Sequence, residues 1–128
     1  MEKEKKRILI IEDENALLEV LTDKFEEEGF SVLQARNGKE GLEIAINDKP
    51  DLILLDIIMP VMDGMTMLRE LKKKQKGNRI PVIILTNLGA AEDVEQAIKE
   101  GAYDFLIKAE YKISDVVKKV EQILNKIA

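Results

Sequence analysis

The sequence predicts an α/β fold: a doubly wound parallel sheet of five strands, with five helices distributed over both faces. Short apolar runs alternate with amphipathic stretches along the 128 residues. The runs begin at residues 7, 30, 51, 80 and 103, and each interval leaves room for one helix and two short loops. Strands and helices that alternate in this way are typical of parallel sheets covered by helices.

The five apolar runs, which are rich in Ile, Val and Leu, are predicted as strands. They span residues 7–11, 30–35, 51–56, 80–86 and 103–107. The stretches 8–11, 52–55 and 82–85 are apolar without alternation, which is the pattern of strands buried on both faces. We therefore expect helices to cover both faces of these three strands.

The segments between the runs carry apolar residues at helical spacing. The predicted stripes are Leu17, Leu18, Leu21 and Phe25; Leu42, Ala45 and Ile46; Met65, Leu68 and Leu71; Ala90, Ala91, Val94, Ala97 and Ile98; and Ile113, Val116, Val117, Val120, Leu124 and Ile127. Gly29 and Gly101 follow the first and fourth stripes, where glycine commonly ends a helix. Asp63 is predicted to turn the chain or cap the third helix, and Tyr103 and Tyr111 are expected to pack.

Composition excludes several kinds of chemistry. The chain has no cysteine and no histidine, which rules out disulfides, thiolate or imidazole zinc sites and a histidine base. Any metal must bind to oxygen ligands, which favours Mg²⁺, Ca²⁺ or Mn²⁺. The net charge of −5 argues against a nucleic-acid-binding surface, because such surfaces are normally basic.

Length and hydropathy indicate one domain over residues 1–128, with its core in 7–127. No apolar run approaches the ~18 residues of a membrane span. The N-terminus has no apolar stretch that could serve as a signal peptide. We therefore expect a cytoplasmic protein that is not bound to a membrane.

Polar residues interrupt four of the five runs, each time at the C-terminal end. Glu12 and Asp13 follow the first run, Asp56 ends the third, Thr86 ends the fourth and Lys108 follows the fifth. In an open α/β sheet, ligands bind beyond these ends, where the strand order reverses. With the strand order 2-1-3-4-5 that point lies between strands one and three. The three carboxylates are thus predicted to share one crevice, bordered by the threonine and the lysine.

Three carboxylates placed close together repel one another, and one lysine cannot neutralise them. The cluster therefore predicts a Mg²⁺ site, since hard cations bind oxygen ligands. A metal, a hydroxyl and an ammonium group together suit a phosphoryl group, which Asp56 could attack as a nucleophile. An alternative role for Glu12 and Asp13 is to cap the first helix.

Four motifs together resemble the receiver domain of two-component response regulators. They are the acidic pair in ILIIEDE, the run LLDIIMPVMDG, and the segments VIILT and DFLIK. The resemblance covers residues 7–127 and implies a flavodoxin-like fold. It implies a stand-alone switch, similar to a chemotaxis regulator, that acts by protein contact. Such a protein is no enzyme beyond catalysing its own phosphorylation and dephosphorylation.

The resemblance also implies a phosphoacceptor and its metal ligands. Asp56 would accept a phosphoryl group from a sensor histidine kinase or a phosphotransfer protein. Mg²⁺ would be held by Glu12, Asp13, Asp56 and the backbone carbonyl of Ile58.

For the switch itself, the resemblance implies that Thr86 and Lys108 bind the phosphoryl oxygens. Phe105 would turn inward as Thr86 moves. The face formed by the fourth helix, fifth strand and fifth helix would then change shape for a downstream protein. The chain would be a monomer or a phosphorylation-dependent dimer.

Two residues depart from the family pattern. Asn87 follows the threonine, where Ala or Gly is usual, and a larger side chain there could narrow access to the site. Ala109 follows the lysine, where proline after a cis bond is usual. A cis bond without proline costs ~2.5–4 kcal/mol. We expect the bond between Lys108 and Ala109 to be trans, or to be a strained cis bond.

Two other functions stay open at this point. One is a Mg²⁺-dependent phosphohydrolase that forms an aspartyl-phosphate, although Ile58 stands where such an enzyme would have a second acid. The other is a receiver-like binding module that does not use phosphate, which Asn87 and Ala109 alone would favour.

Overall fold

The computed structural model describes residues 5–57, 59, 61–74, 79–87 and 91–127, with the backbone alone for 91–93. Its five strands form one parallel sheet in the order β2-β1-β3-β4-β5, which confirms the predicted fold class. The elements are β1 (Arg7–Ile11), α1 (Asn15–Glu27), β2 (Ser31–Ala35), α2 (Gly38–Asp48), β3 (Leu52–Leu55), α3 (Gly64–Lys72), β4 (Val82–Thr86), α4 (Ala91–Lys99), β5 (Asp104–Ile107) and α5 (Ile113–Ile127). A short 3-10 helix over Lys108–Glu110 connects β5 to α5. Ala90, predicted on the fourth stripe, lies outside the described residues.

Each predicted strand is present, with small differences at its ends. β1 has the predicted bounds, whereas β2 and β5 each begin one residue later than predicted, and β3 is one residue shorter at each end, so that Asp56 follows the strand. β4 begins at Val82, two residues later, because Pro81 has no N–H to give to the ladder. Every residue of β3 and β4 is buried, so helices do cover both faces of these strands.

The sheet separates two groups of buried apolar side chains. Leu9, Ile11, Ile53 and Leu55 face α2, α3 and α4, and this group is called the α2–α4 core. The even-numbered residues of β1 and β3 face α1 and α5, and this second group is called the α1–α5 core. The alternation follows from the two-residue period of a strand, which sends successive side chains to opposite faces.

Two helices begin at residues whose side chains cap them. Asn37 Oδ1 accepts a hydrogen bond from the backbone N–H of Glu40 at 2.9 Å and caps α2. Asp63 Oδ1 accepts one from the N–H of Thr66 at 2.8 Å and caps α3, which confirms the role predicted for Asp63.

Helix α1 begins differently, because its N-cap residue Glu14 makes no side-chain capping bond. Glu12 and Asp13 precede this residue, so neither is the N-cap of α1, and a favourable effect of their charges on this helix end stays a prediction. Glycines follow the C-terminal ends of two helices, as predicted. Gly29 follows α1 with φ 94°, and Gly101 follows α4 with φ 108°.

Where their side chains are described, the residues of the predicted apolar stripes are buried or half-buried, with two exceptions. Ile98 and Ile127 are 44% and 48% exposed. Ile123, which the predicted stripe of α5 omits, is buried. Tyr103 and Tyr111 are 48% and 37% exposed, so neither ring is packed inside as expected. Among the described helices, none is both long and apolar enough to cross a membrane.

Candidate functional site

Glu12 and Asp56 lie side by side because β1 and β3 are neighbouring strands in register. Ile11 pairs with Leu55, and the two acids are the next residues along their strands. The backbone N–H of Asp56 donates to the Ile11 carbonyl at 3.0 Å, so the ladder of hydrogen bonds reaches the acid itself. The polar residues predicted between strands one and three therefore do meet at the carboxyl edge of the sheet.

Asp13 completes a cluster of three carboxylates with Glu12 and Asp56. One carboxylate oxygen from each residue lies within 4.8 Å of the others. Glu12 and Asp56 are buried, at 3% and 8% exposure, while Asp13 is exposed. Within the part of the chain that the structure describes, no donor reaches the buried Oε2 of Glu12. A buried carboxylate oxygen without a donor, beside two more carboxylates, fits a hard divalent cation such as Mg²⁺.

Lys108 brings positive charge to the cluster from the end of β5. Its Nζ donates to Glu12 Oε1 at 2.7 Å and to Asp56 Oδ2 at 3.2 Å. The lysine side chain is 14% exposed, so both ion pairs are partly shielded from water. No cis peptide bond occurs among the described residues, and the bond between Lys108 and Ala109 is therefore trans. Lys108 thus reaches Asp56 without the strained cis bond that was the alternative expectation.

Burial controls the protonation of the Glu12 carboxyl. It raises the pKa of Glu12 from 4.5 to about 8; the hydrogen bond and charge of Asp56 act in the same direction, and Lys108 opposes them. Burial lowers the pKa of Lys108, but the hydrogen bond to Glu12 and the charges of Asp56 and Glu12 outweigh burial, so the pKa lies above its ordinary value. Near neutral pH the lysine is therefore charged, whereas Glu12 holds a proton when no metal is bound.

A crevice of about 460 Å³ opens above the carboxylates. Its lining residues are Glu12, Asp13, Glu14, Asp56, Thr86, Asn87 and Lys108. Thr86, the last residue of β4, is 1% exposed, and Asn87 beyond it is exposed. The structure brings together all five polar residues that the strand ends predicted. Glu14 was not among them, although it is the third acid of the motif ILIIEDE.

Phe105, which the resemblance also singles out, is not among these lining residues. Phe105 pairs with Ile84 across β4 and β5 and is 36% exposed, so its ring is not buried in this conformation. Ile58, whose carbonyl is predicted as a metal ligand, lies outside the described residues.

Two glycines hold described residues of the segment between β3 and α3, at the same edge of the sheet. The Gly38 N–H donates to the Met62 carbonyl at 2.9 Å, and a Cβ on Gly38 would collide with that carbonyl oxygen. The Gly64 N–H donates to the Ile57 carbonyl at 2.8 Å, and a Cβ on Gly64 would collide with the Asp56 carbonyl. Only glycine permits these two close approaches.

Comparison with known proteins finds extensive similarity. A family model described as the response regulator receiver domain matches residues 8–121. RpaA, a DNA-binding dual master transcriptional regulator of Synechocystis, is 35% identical over 120 residues, which cover 94% of this chain and 49% of RpaA. Protein PilH of Pseudomonas aeruginosa is 39% identical over 102 residues, which cover 80% of this chain and 84% of PilH. The matched part is about half the length of RpaA and 22% of the response regulator PleD of Caulobacter vibrioides.

Solved structures share the fold. A CheY-like receiver domain from Methanospirillum hungatei superposes with a TM-score of 0.88 at 29% identity, covering 96% of each chain. A chain of the CheX-CheY-BeF3-Mg²⁺ complex from Borrelia burgdorferi superposes with a TM-score of 0.84 at 29% identity, covering 92% of this chain and 88% of that chain. The strand order, the acidic edge and these similarities agree, and the chain belongs to the response regulator receiver domain family of two-component signalling.

Proposed function

We propose that this receiver domain is a signalling switch that accepts a phosphoryl group on Asp56. The observation that carries the proposal is the place of Asp56, a buried carboxylate on a crevice shared with Glu12, Asp13, Thr86 and Lys108. Receiver domains interact with histidine kinases and phosphotransfer proteins, and we propose a protein of this class as the donor.

In the proposed reaction, a carboxylate oxygen of Asp56 attacks the phosphorus of a phosphohistidine on the donor. A P–O bond to Asp56 forms as the P–N bond to the imidazole breaks. The imidazole leaves with its electron pair and takes up a proton from solvent. Lys108, already 3.2 Å from Asp56, would contact one phosphoryl oxygen, and the Thr86 hydroxyl would donate to another.

Glu12, Asp13 and Asp56 would hold Mg²⁺, and the carbonyl of Ile58 is proposed as a further ligand. A bound metal would neutralise negative charge on the phosphoryl oxygens. The proposal is supported by the Glu12 oxygen that has no donor among the described residues. The related complex from B. burgdorferi also contains BeF3 and Mg²⁺.

The proposed output is a change in the face formed by α4, β5 and α5. This face and its edges carry Ile98, Phe105 and Tyr111, each between 36% and 44% exposed. Phe105 would turn inward as Thr86 moves toward the phosphoryl group, and a downstream protein would recognise the changed face. The only reactions that we propose this domain to catalyse are its own phosphorylation and dephosphorylation. We propose that the protein is a monomer or a phosphorylation-dependent dimer, since either state could present the changed face to a downstream protein.

The expectation that this chain binds no nucleic acid stays a prediction. The net charge of −5 supports the expectation. The relatives do not support it, because RpaA is named as DNA-binding and this chain matches 49% of it. The single-domain organisation and the cytoplasmic location also stay predictions.

Phosphorylation of Asp56 can be tested without the natural donor. After incubation with acetyl phosphate and Mg²⁺, the intact mass of the wild type should rise by one phosphoryl group. Asp56→Asn should gain none, because an amide is not a nucleophile of this kind. Asp63→Asn is the matched control on the same loop, since asparagine also caps helices, and it should label as the wild type does.

An unlabelled wild type, or equal labelling of Asp56→Asn, would contradict the proposal. Turnover of a simple phosphomonoester beyond one equivalent would favour the phosphohydrolase instead. Partner binding that is unaffected by phosphodonor and by Asp56→Ala would favour the binding module.

A further inference from the structure

The loop between β3 and α3 holds Val61 in a strained conformation. Val61 has φ 68°, in the left-handed region that a β-branched residue rarely adopts. The other non-glycine residue with positive φ among those described is Lys49, which is the C-cap of α2. A left-handed residue is common at that position. Val61 caps no helix, so its backbone conformation has no such explanation.

Val61 also contributes little to the stability of the fold. Its side chain is 78% exposed, more than any other large apolar side chain in the described part of the chain; Val20 follows with 50%. A side chain so exposed removes little apolar area from water. Glycine or asparagine would adopt the same φ with less strain. A residue that is both strained and exposed indicates a function other than folding.

The backbone on the C-terminal side of Val61 is firmly held. The next residue, Met62, accepts the Gly38 N–H at 2.9 Å through its carbonyl. Asp63 caps α3, and the Gly64 N–H binds the Ile57 carbonyl at 2.8 Å. Because the backbone that follows Val61 is held in this way, the Val61 side chain loses little conformational freedom when a partner covers it, which favours binding.

We propose that Val61 is a docking residue for the protein that delivers the phosphoryl group to Asp56. Both residues lie at the carboxyl edge of the sheet, where β3 ends and α3 has not begun. A protein that places a phosphohistidine in the crevice must cover its surroundings, whereas a small phosphodonor enters without touching Val61. The inference rests on the proposed function of Asp56.

The charges around the crevice indicate the chemistry of the matching surface. Asp13 and Glu14 are exposed at the crevice, and Asp63 is exposed two residues after Val61. The donor surface that fits is an apolar patch for Val61 flanked by lysine or arginine side chains. Such a patch would lie beside the phosphohistidine on the donor.

The test compares Val61→Asn and Val61→Gly with the wild type in three measurements. Melting temperature should stay level or rise, because both residues tolerate a positive φ. Labelling by acetyl phosphate with Mg²⁺ should stay within about twofold of the wild-type rate, since Asp56 is unchanged. Phosphotransfer should slow about tenfold or more through a raised KM, as expected when an interface contact is lost. The donor in this arm is a histidine kinase from the same genome, chosen because it phosphorylates the wild type.

Val61→Ala is a further variant, which keeps a Cβ and the left-handed backbone but removes apolar surface. Its rate of phosphotransfer should fall between that of the wild type and those of Val61→Asn and Val61→Gly. The control is Ile127→Asn, an exposed branched side chain at the end of α5, which should leave transfer unchanged. Equal transfer to all Val61 variants would overturn the inference, and so would an equal loss of acetyl phosphate labelling. If the wild type itself is not labelled by acetyl phosphate, the proposed function fails first.

Discussion

At the scale of single residues, Lys108 has two expected roles: it stabilises the acidic cluster, and it contacts the phosphoryl group during labelling. We expect Lys108→Met to lower the melting temperature in EDTA by a few degrees, because Glu12 and Asp56 lose a hydrogen-bonded cation. Millimolar Mg²⁺ should restore the melting temperature, since it supplies positive charge to the same carboxylates. Labelling by acetyl phosphate should still fall at least about tenfold, because the metal does not replace the contact of Lys108 with a phosphoryl oxygen.

The matched control is Lys118→Met, which removes an exposed lysine of α5 and should change neither quantity. If acetyl phosphate labelled Lys108→Met in Mg²⁺ as fast as the wild type, Lys108 would serve stability alone. Melting would be followed by circular dichroism and labelling by intact mass.

Some of these residues could be placed from the sequence and others could not. Asp56 and Lys108 were placed correctly because each interrupts an apolar run at its C-terminal end, and parallel strands bring those ends to one edge. The raised pKa of Glu12 depends on the burial of its carboxyl, which a sequence does not state. The strain at Val61 was missed for a related reason: a β-branched residue argues against the left-handed backbone that it adopts.

At the scale of secondary structure, the contact between the start of α2 and the loop before α3 should be intolerant of any side chain. We expect Gly38→Ala to lower the free energy of unfolding by about 1–3 kcal/mol, because its Cβ would collide with the Met62 carbonyl. Alanine is otherwise the better helix former, so propensity alone predicts the opposite sign.

Urea denaturation would measure this change, with Lys39→Ala, the next and exposed residue of α2, as the control. The control should stay within about 0.5 kcal/mol of the wild type. A Gly38→Ala variant as stable as the control would show that the loop shifts freely to make room.

Element positions followed from the sequence more closely than their burial did. The order of strands and helices follows from apolar periodicity, and β4 was misplaced only where Pro81 interrupts the ladder. In α5 the same periodicity marks Ile127, the last helical residue, which is half exposed, and omits Ile123, which is buried. Spacing gives the apolar face of a helix, but the extent of the sheet beneath the helix decides which residues of that face are covered.

At the scale of the whole molecule, stability without metal should fall as pH rises. The pKa of Glu12 is about 8 in the folded protein against an ordinary value of 4.5, so between these values the folded state binds a proton that the unfolded state has lost. This contribution is fully present below pH 4.5 and is lost as pH rises through 8. The two values set an upper limit of about 5 kcal/mol on the loss. Melting in EDTA from pH 5 to 9 would measure it, and Glu12→Gln should flatten the slope.

Mg²⁺ should reverse this trend over the same range of pH. Metal binding requires the ionised carboxylates, so the stabilisation by Mg²⁺ should grow as Glu12 loses its proton. The measurement is the difference in melting temperature between millimolar Mg²⁺ and EDTA at each pH. Identical melting curves in Mg²⁺ and in EDTA at pH 8 would count against a metal site at the three carboxylates. A difference in melting temperature that shrinks as pH rises would do the same.

The sheet separates the α1–α5 core from the α2–α4 core, so the two cores can accept substitutions separately during evolution. Each helix packs into one core alone, as far as its side chains are described, while β1, β2, β3 and β4 contribute to both. A substitution in α1 can thus be compensated within the α1–α5 core without disturbing the side chains under α2 and α3. Lineages can therefore change one face of the molecule while inheriting the other intact, provided that the four shared strands are conserved.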